Sequence, residues 1–304
     1  NAKVNGLRPT EGAADIPAID WCVKGGWDSA GQKFLAACQP PGLYQSQSII
    51  LQYDAFTDNW TAIRQPWTGV GFGHGYDGTA VDPASRVLYR NDHKLSNSGK
   101  LLRWDIAAGS PLVSMSPPTN FGFTWNTELA LTWVPWGAEG GLVICGGKNG
   151  GGAAVALWDK ATNAWSLKWS GSSFQGLECV CHYNPVADRI VFGYANTGGF
   201  LRIMDSSGAV VQTSATPTNI NAGSPGNYVF VPDPNGPESL VFANNDTHVY
   251  GINCLTGQFT DYGVRTWATG SYHDVGVSIP ELNVIMIARY DYGNSKVWLY
   301  RHTV

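Results

Sequence analysis

Leu157-Trp158-Asp159-Lys160-Ala161-Thr162-Asn163-Ala164-Trp165 is the stretch on which the reading of the chain turns. Leu157 and Trp158 have the character of a strand end, and Ala164-Trp165-Ser166-Leu167 that of the next strand's start. Between them, Asp159 and Thr162 offer side-chain oxygens to nearby backbone, and Asn163 tolerates a positive φ. The stretch therefore predicts a β-hairpin with a bulky aromatic on each arm. The same phrase occurs as Gln52-Tyr53-Asp54-Ala55-Phe56-Thr57-Asp58-Asn59-Trp60, where an aromatic-Asp pair again precedes a Trp by seven positions. A hairpin that recurs points to a repeat architecture.

Aligned on that position, the chain shows Tyr53-Asp54, Trp104-Asp105, Trp158-Asp159, Met204-Asp205, Ile252-Asn253 and Tyr300-Arg301, at steps of 51, 54, 46, 48 and 48 residues. Upstream lies a second phrase, two strands around a Pro turn, as in Thr79-Ala80-Val81-Asp82-Pro83-Ala84-Ser85-Arg86-Val87-Leu88-Tyr89. Pro presets φ at the corner and the preceding Asp or Asn bonds the backbone. Each unit thus carries four short strands, A to D; in the second unit they are expected over 75–81, 86–90, 101–105 and 111–115. Four-stranded units of this length predict an all-β, six-bladed β-propeller of antiparallel blades, one domain over 1–304. The blades are expected over about 18–63, 74–115, 126–167, 177–213, 226–262 and 272–304. The last unit reaches only its third strand, Val297-Trp298-Leu299-Tyr300. Lys3-Val4-Asn5-Gly6-Leu7 is expected to add the fourth, closing the ring and covering an open edge.

Composition agrees with this class. Charged residues make up 14% of the 304, glycines number 37, and 13 Trp and 13 Tyr favour strands over helices. A net charge of −4 argues against a nucleic-acid partner. No apolar run approaches a membrane span, so membrane insertion is not expected. Cys22 and Cys38 flank a hairpin centred near Ala30, so a cross-strand disulfide and a pair of free thiols are both open. Cys179 and Cys181 read as buried thiols, and Cys179-Val180-Cys181-His182 matches no zinc spacing. No cofactor or metal is expected.

The aromatic-Asp-x-x-Thr-x-x-Trp hairpin, with Gly146-Gly147 after Leu142-Val143-Ile144-Cys145, resembles kelch-type propeller repeats. The resemblance spans nearly the whole chain and implies the propeller fold. The diglycine is clear in one unit and the downstream Trp in two, so no subfamily follows. Trp104-Asp105 and Trp158-Asp159 resemble the dipeptide of WD40 repeats, but the Gly-His partner is missing.

Propellers take their function from the site, not the fold. Counting back seven from each hairpin Pro gives Tyr76, Glu128, Glu178, Asn227 and His273, with Cys22 in the first unit and His74 and Asn126 two residues earlier. This polar ring is expected at the mouth formed by the D–A and B–C connections, joined by Arg90, His93 and Lys148. Single residues there are as well explained by bonds between blades. Asn, Asp, Tyr and Gly in the B–C loops are ordinary turn formers that also suit sugar hydroxyls, with Trp67, Trp125 and Trp136 as stacking platforms. A lyase acting on a uronate polymer would use His74, Tyr76 and His273 as base and acid, with Asn126, Asn227, Lys148 or Arg90 neutralising the carboxylate. A glycoside hydrolase would use Glu128 and Glu178. Neither constellation carries a distinctive motif, so binding ranks ahead of catalysis. The expectation is an extracellular or particle-surface adhesion or recognition module, such as a virion component, holding a glycan or a surface protein. Self-assembly or assembly into a larger complex is the third reading.

Overall fold

A computed structural model of the chain describes residues 22–38, 48–57, 59–64, 66–67, 76–91, 100–116, 118–123, 129–147, 152–171, 179–193, 199–217, 228–243, 248–265, 274–289 and 296–302. They form six antiparallel sheets whose strands pair in chain order. The first blade is β1 (Gly26–Asp28), β2 (Lys33–Cys38), β3 (Ile49–Asp54) and β4 (Asn59–Arg64), and the second β5 (Thr79–Asp82), β6 (Val87–Asn91), β7 (Leu101–Asp105) and β8 (Ser110–Met115). The third is β9 (Ala130–Val134), β10 (Gly141–Gly147), β11 (Ala153–Asp159) and β12 (Ala164–Gly171). The fourth is β13 (Val180–Asn184), β14 (Arg189–Gly193), β15 (Phe200–Met204) and β16 (Val210–Ala215). The fifth is β17 (Tyr228–Pro232), β18 (Glu238–Ala243), β19 (His248–Asn253) and β20 (Phe259–Val264). The sixth shows three strands among the described residues, β21 (Asp274–Ile279), β22 (Val284–Arg289) and β23 (Lys296–Tyr300). Inner strands β1, β5, β9, β13, β17 and β21 touch in cyclic order, so the molecule is a six-bladed β-propeller. Residues 3–7, expected to close the ring, lie outside the described residues.

The hairpin that led to this fold is built as its residues require. Thr162 N–H donates to Asp159 Oδ1 at 3.0 Å, Asn163 sits at φ 53°, and its Oδ1 accepts Trp158 Nε1–H at 3.0 Å. Trp158 and Trp165 face each other across β11 and β12. The aligned position repeats the device in other blades. Asp54, Asp105, Asp205 and Asn253 each accept backbone N–H bonds within their own C–D turn. The A–B turns use the same chemistry at Asp82, Asn184 and Asp233.

Six apolar clusters fill the six gaps between neighbouring blades; Phe34 and Leu51 meet Val275 and Met286 across the first and sixth, for example. The gaps narrow toward the axis, where glycine lets the inner strands approach. A Cβ on Gly26 would lie 2.2 Å from Val81 Cγ2, and one on Gly276 2.1 Å from Val229 Cγ1. Trp67 and Trp136, expected as platforms, belong to this core. Trp67 packs edge-on against Trp104, and Trp136 packs against Tyr183 while donating Nε1–H to Asp188 at 2.7 Å. Trp125 lies outside the described residues.

A polar bond also joins each pair of blades near the turns. Arg86 reaches Asp28 at 2.7 Å, Lys160 reaches Asp82 at 2.8 Å, and Trp136 reaches Asp188. Asn184 donates to Glu238 O at 2.6 Å, Asn235 donates to Asn283 O at 3.4 Å, and Trp27 donates to Glu281 at 2.8 Å. All six cysteines are buried, and none is in a disulfide. Cys22 and Cys38 are not joined in a disulfide, although their thiols lie within hydrogen-bond reach of each other.

Candidate functional site: a brace and a cavity on the propeller axis

The first blade opens with Cys22-Val23-Lys24-Gly25-Gly26, and this segment threads between two neighbours. Val23 N–H donates to Tyr76 O at 3.0 Å, Gly25 N–H to Gly276 O at 2.9 Å, and Gly276 N–H to Val23 O at 3.1 Å. The axial edge of an inner strand has no neighbour within its own blade. Here that edge is used to bind the second, first and sixth blades together.

Lys24 then crosses the axis. Its Nζ donates to Leu131 O at 2.5 Å in the third blade and to Cys181 O at 2.6 Å in the fourth, which stands opposite the first. Asp77 of the second blade lies 3.6 Å from that ammonium and accepts Cys181 N–H at 2.7 Å. Its other oxygen is 2.6 Å from His182 Nε2. All three side chains are buried. Burial pulls the His182 pKa down to about 4 although Asp77 pulls the other way. We therefore assign a neutral ring that donates Nε2–H to Asp77 and keeps Nδ1 as an acceptor, a bond to a charged group rather than an ion pair. The ammonium, carboxylate and imidazole link blades one, two, three and four across the axis.

Below the brace, toward the A–B turns, lies a cavity of about 240 Å³ lined by residues from all six blades. His182 stands in its wall, edge-on to Phe230 with ring centroids 5.0 Å apart. Trp27, Trp133 and Tyr183 add aromatic surface, and Gly25, Gly26 and Gly276 keep it open.

Of the residues expected at the opposite mouth, Tyr76 and Arg90 are described; His74, His93, Asn126, Glu128, Lys148, Glu178, Asn227 and His273 lie outside the described residues. Tyr76 is buried at the seam of the first two blades. Arg90 is fully buried, with Nη1 donating to Thr79 Oγ1 at 3.4 Å. Burial lowers its pKa, while Cys22, Cys38 and Asp77 nearby raise it. The hydrogen bond with Cys38 draws the Cys22 thiol down to about 7 against the opposing effect of burial, and Arg90 adds to the pull. Beside Arg90, the Asn91 amide is buried with neither atom bonded among the described residues. Among the described residues, no group of three or more His, Cys, Asp or Glu side chains could hold a metal ion, and no helix is long and apolar enough to cross a membrane.

Lys24, Asp77 and His182 lie off the positions counted back from each hairpin Pro. The available signal was charge inside strands, since ionisable residues are seldom fully buried unless paired. Asp77 follows Tyr76 directly, and His182 lies between Cys181 and Tyr183 in a segment otherwise apolar before its turn.

No family model matches the chain, and no curated protein matches it in sequence. Solved structures match in fold. A chain of a mitotic checkpoint complex superposes with a TM-score of 0.60 at 14% identity, over 95% of this chain and 91% of that one. The β-propeller domain of Cps50 (Swd1) from Myceliophteria thermophila gives 0.55 at 8% identity, over 95% and 99%. TolB from Acinetobacter baumannii gives 0.54 at 10% identity, over 79% and 53%. At these identities the similarity establishes the propeller fold.

Proposed function

We propose that the chain is a non-catalytic recognition module on a cell exterior or particle surface. It holds a protein partner on the face where the D–A and B–C connections emerge. The observation that carries this is Lys24, which spans the axis from the first blade to the fourth and fixes the ring on which those connections are mounted. A rigid scaffold that positions loops is the general plan of binding proteins. The complex that contains a chain of similar fold supports a protein partner. A glycan is the second reading, favoured by the Asn, Asp and Tyr of Asn91-Asp92-His93-Lys94, Asn244-Asn245-Asp246 and Tyr290-Asp291-Tyr292.

The test is chemical crosslinking of the chain to surface proteins of its source, beside a glycan array and a polyuronate panel read by ultraviolet absorbance. The expected result is a defined crosslinked partner weakened by His93→Ala with Lys148→Ala, and no unsaturated product. Array binding without a protein partner would select the glycan reading. Product that disappears in His74→Ala or His273→Ala would overturn both and select the lyase.

A further inference from the structure

We propose that the axial cavity beneath the brace binds a small, neutral aromatic molecule carrying an N–H or O–H donor. This site lies on the A–B-turn side of the ring, away from the rim assigned to a partner, and is independent of that assignment.

Shape sets the first limit. Lys24 crosses its inner end, and the cavity extends past Trp27, Pro83 and Pro280 at the turns. Its volume of about 240 Å³ falls below the roughly 300–1,000 Å³ of pockets for drug-sized ligands, which restricts the occupant to one ring or two fused rings. Trp27, Trp133, Tyr183 and Phe230, with Val and Pro between them, present apolar walls suited to a flat guest.

Charge sets the second. The Lys24 ammonium is engaged by two carbonyls and Asp77. The Asp77 carboxylate is engaged by Cys181 N–H, His182 and Lys24. Neither has its charge left for a ligand, so an anion or a cation would enter without compensation.

Polarity sets the third. His182 commits Nε2 to Asp77, and among the described residues its Nδ1 has no hydrogen-bond partner although the side chain is only 3% exposed. Ser278 Oγ, also in the wall, is buried without a partner. An unbonded acceptor in the wall, whose ring is held by a carboxylate, selects a donor on the guest. An indole or a phenol has the right size, neutrality and donor.

Fluorine NMR of 5-fluoroindole and 4-fluorophenol titrated with the full chain tests this, with 1-methyl-5-fluoroindole and fluorobenzene as analogues lacking the donor. The expected result is saturable binding of the two donors, at least tenfold weaker for the analogues. Ser278→Phe, which adds a ring at the cavity wall, should abolish it while circular dichroism stays unchanged. His182→Phe should reduce the donors to the level of their analogues. Should that variant misfold, the donor-to-analogue ratio and Ser278→Phe decide the matter. No saturation up to the solubility limit would overturn the proposal, as would equal binding of the N-methylated probe or undiminished binding in Ser278→Phe.

Discussion

Replacing Asp77 by Ala removes the acceptor of Cys181 N–H and of His182, and the counter-charge of Lys24, in one step. An uncompensated ammonium is then left in a buried site, so the loss of stability is expected at about 3–5 kcal/mol. Asp54→Ala, which deletes a turn acceptor at the surface, should cost roughly 1 kcal/mol. Urea denaturation of both variants checks the contrast, and equal losses would contradict the brace. His182 adds a pH dependence. Its folded pKa of about 4 is below the ordinary 6.5, so the stability it contributes is complete above about pH 6.5 and is lost as pH falls toward 4. Between about pH 7.5 and 4.5, wild type should lose roughly 2–3 kcal/mol more than His182→Gln. Parallel profiles would show that the ring accepts a proton in the folded state. None of this was readable residue by residue. A Lys, an Asp and a His separated by 53 and 105 positions carry no local spacing signal.

Elements differ in how far their sequence speaks for them. The C–D turns were legible because their determinants are local: a carboxylate or amide bonds backbone two or three residues on, and Asn163 adopts positive φ. Asn163→Ala should therefore cost about 1–2 kcal/mol, through the left-handed backbone and the lost Trp158 acceptor, measured by thermal unfolding. The inner strands were less legible. In the second blade the first strand was expected over 75–81 and begins at Thr79, because Tyr76 bridges the first blade and not its own. Glycine marks these convergent strands. Gly26→Ala drives a methyl into the stiff Val81 side chain and should cost about 1–3 kcal/mol, whereas at Gly109 a Cβ meets nothing within 4 Å and only the φ of 64° opposes a side chain.

At the scale of the molecule, six wedge-shaped gaps are packed with apolar side chains and tied by a polar bond at each junction. All six thiols lie in this interior, each 2% exposed or less. A thiol reagent should therefore modify none in the native chain and all six after unfolding; one fast-reacting thiol would show that its blade opens. The expected closure by residues 3–7 is tested by deleting residues 1–10, which should lower the melting temperature. An unchanged value would refute the closure. The sequence by itself determined the repeat, the four-stranded unit, the turn chemistry and hence the propeller, since these rest on periodicity and on bonds between near neighbours. Only the tertiary structure decided which polar side chains meet at the axis. Closing the ring brings together segments some fifty residues apart, and backbone pairing between the first, second and sixth blades, not within them, engages Cys22, Lys24, Tyr76 and Gly276.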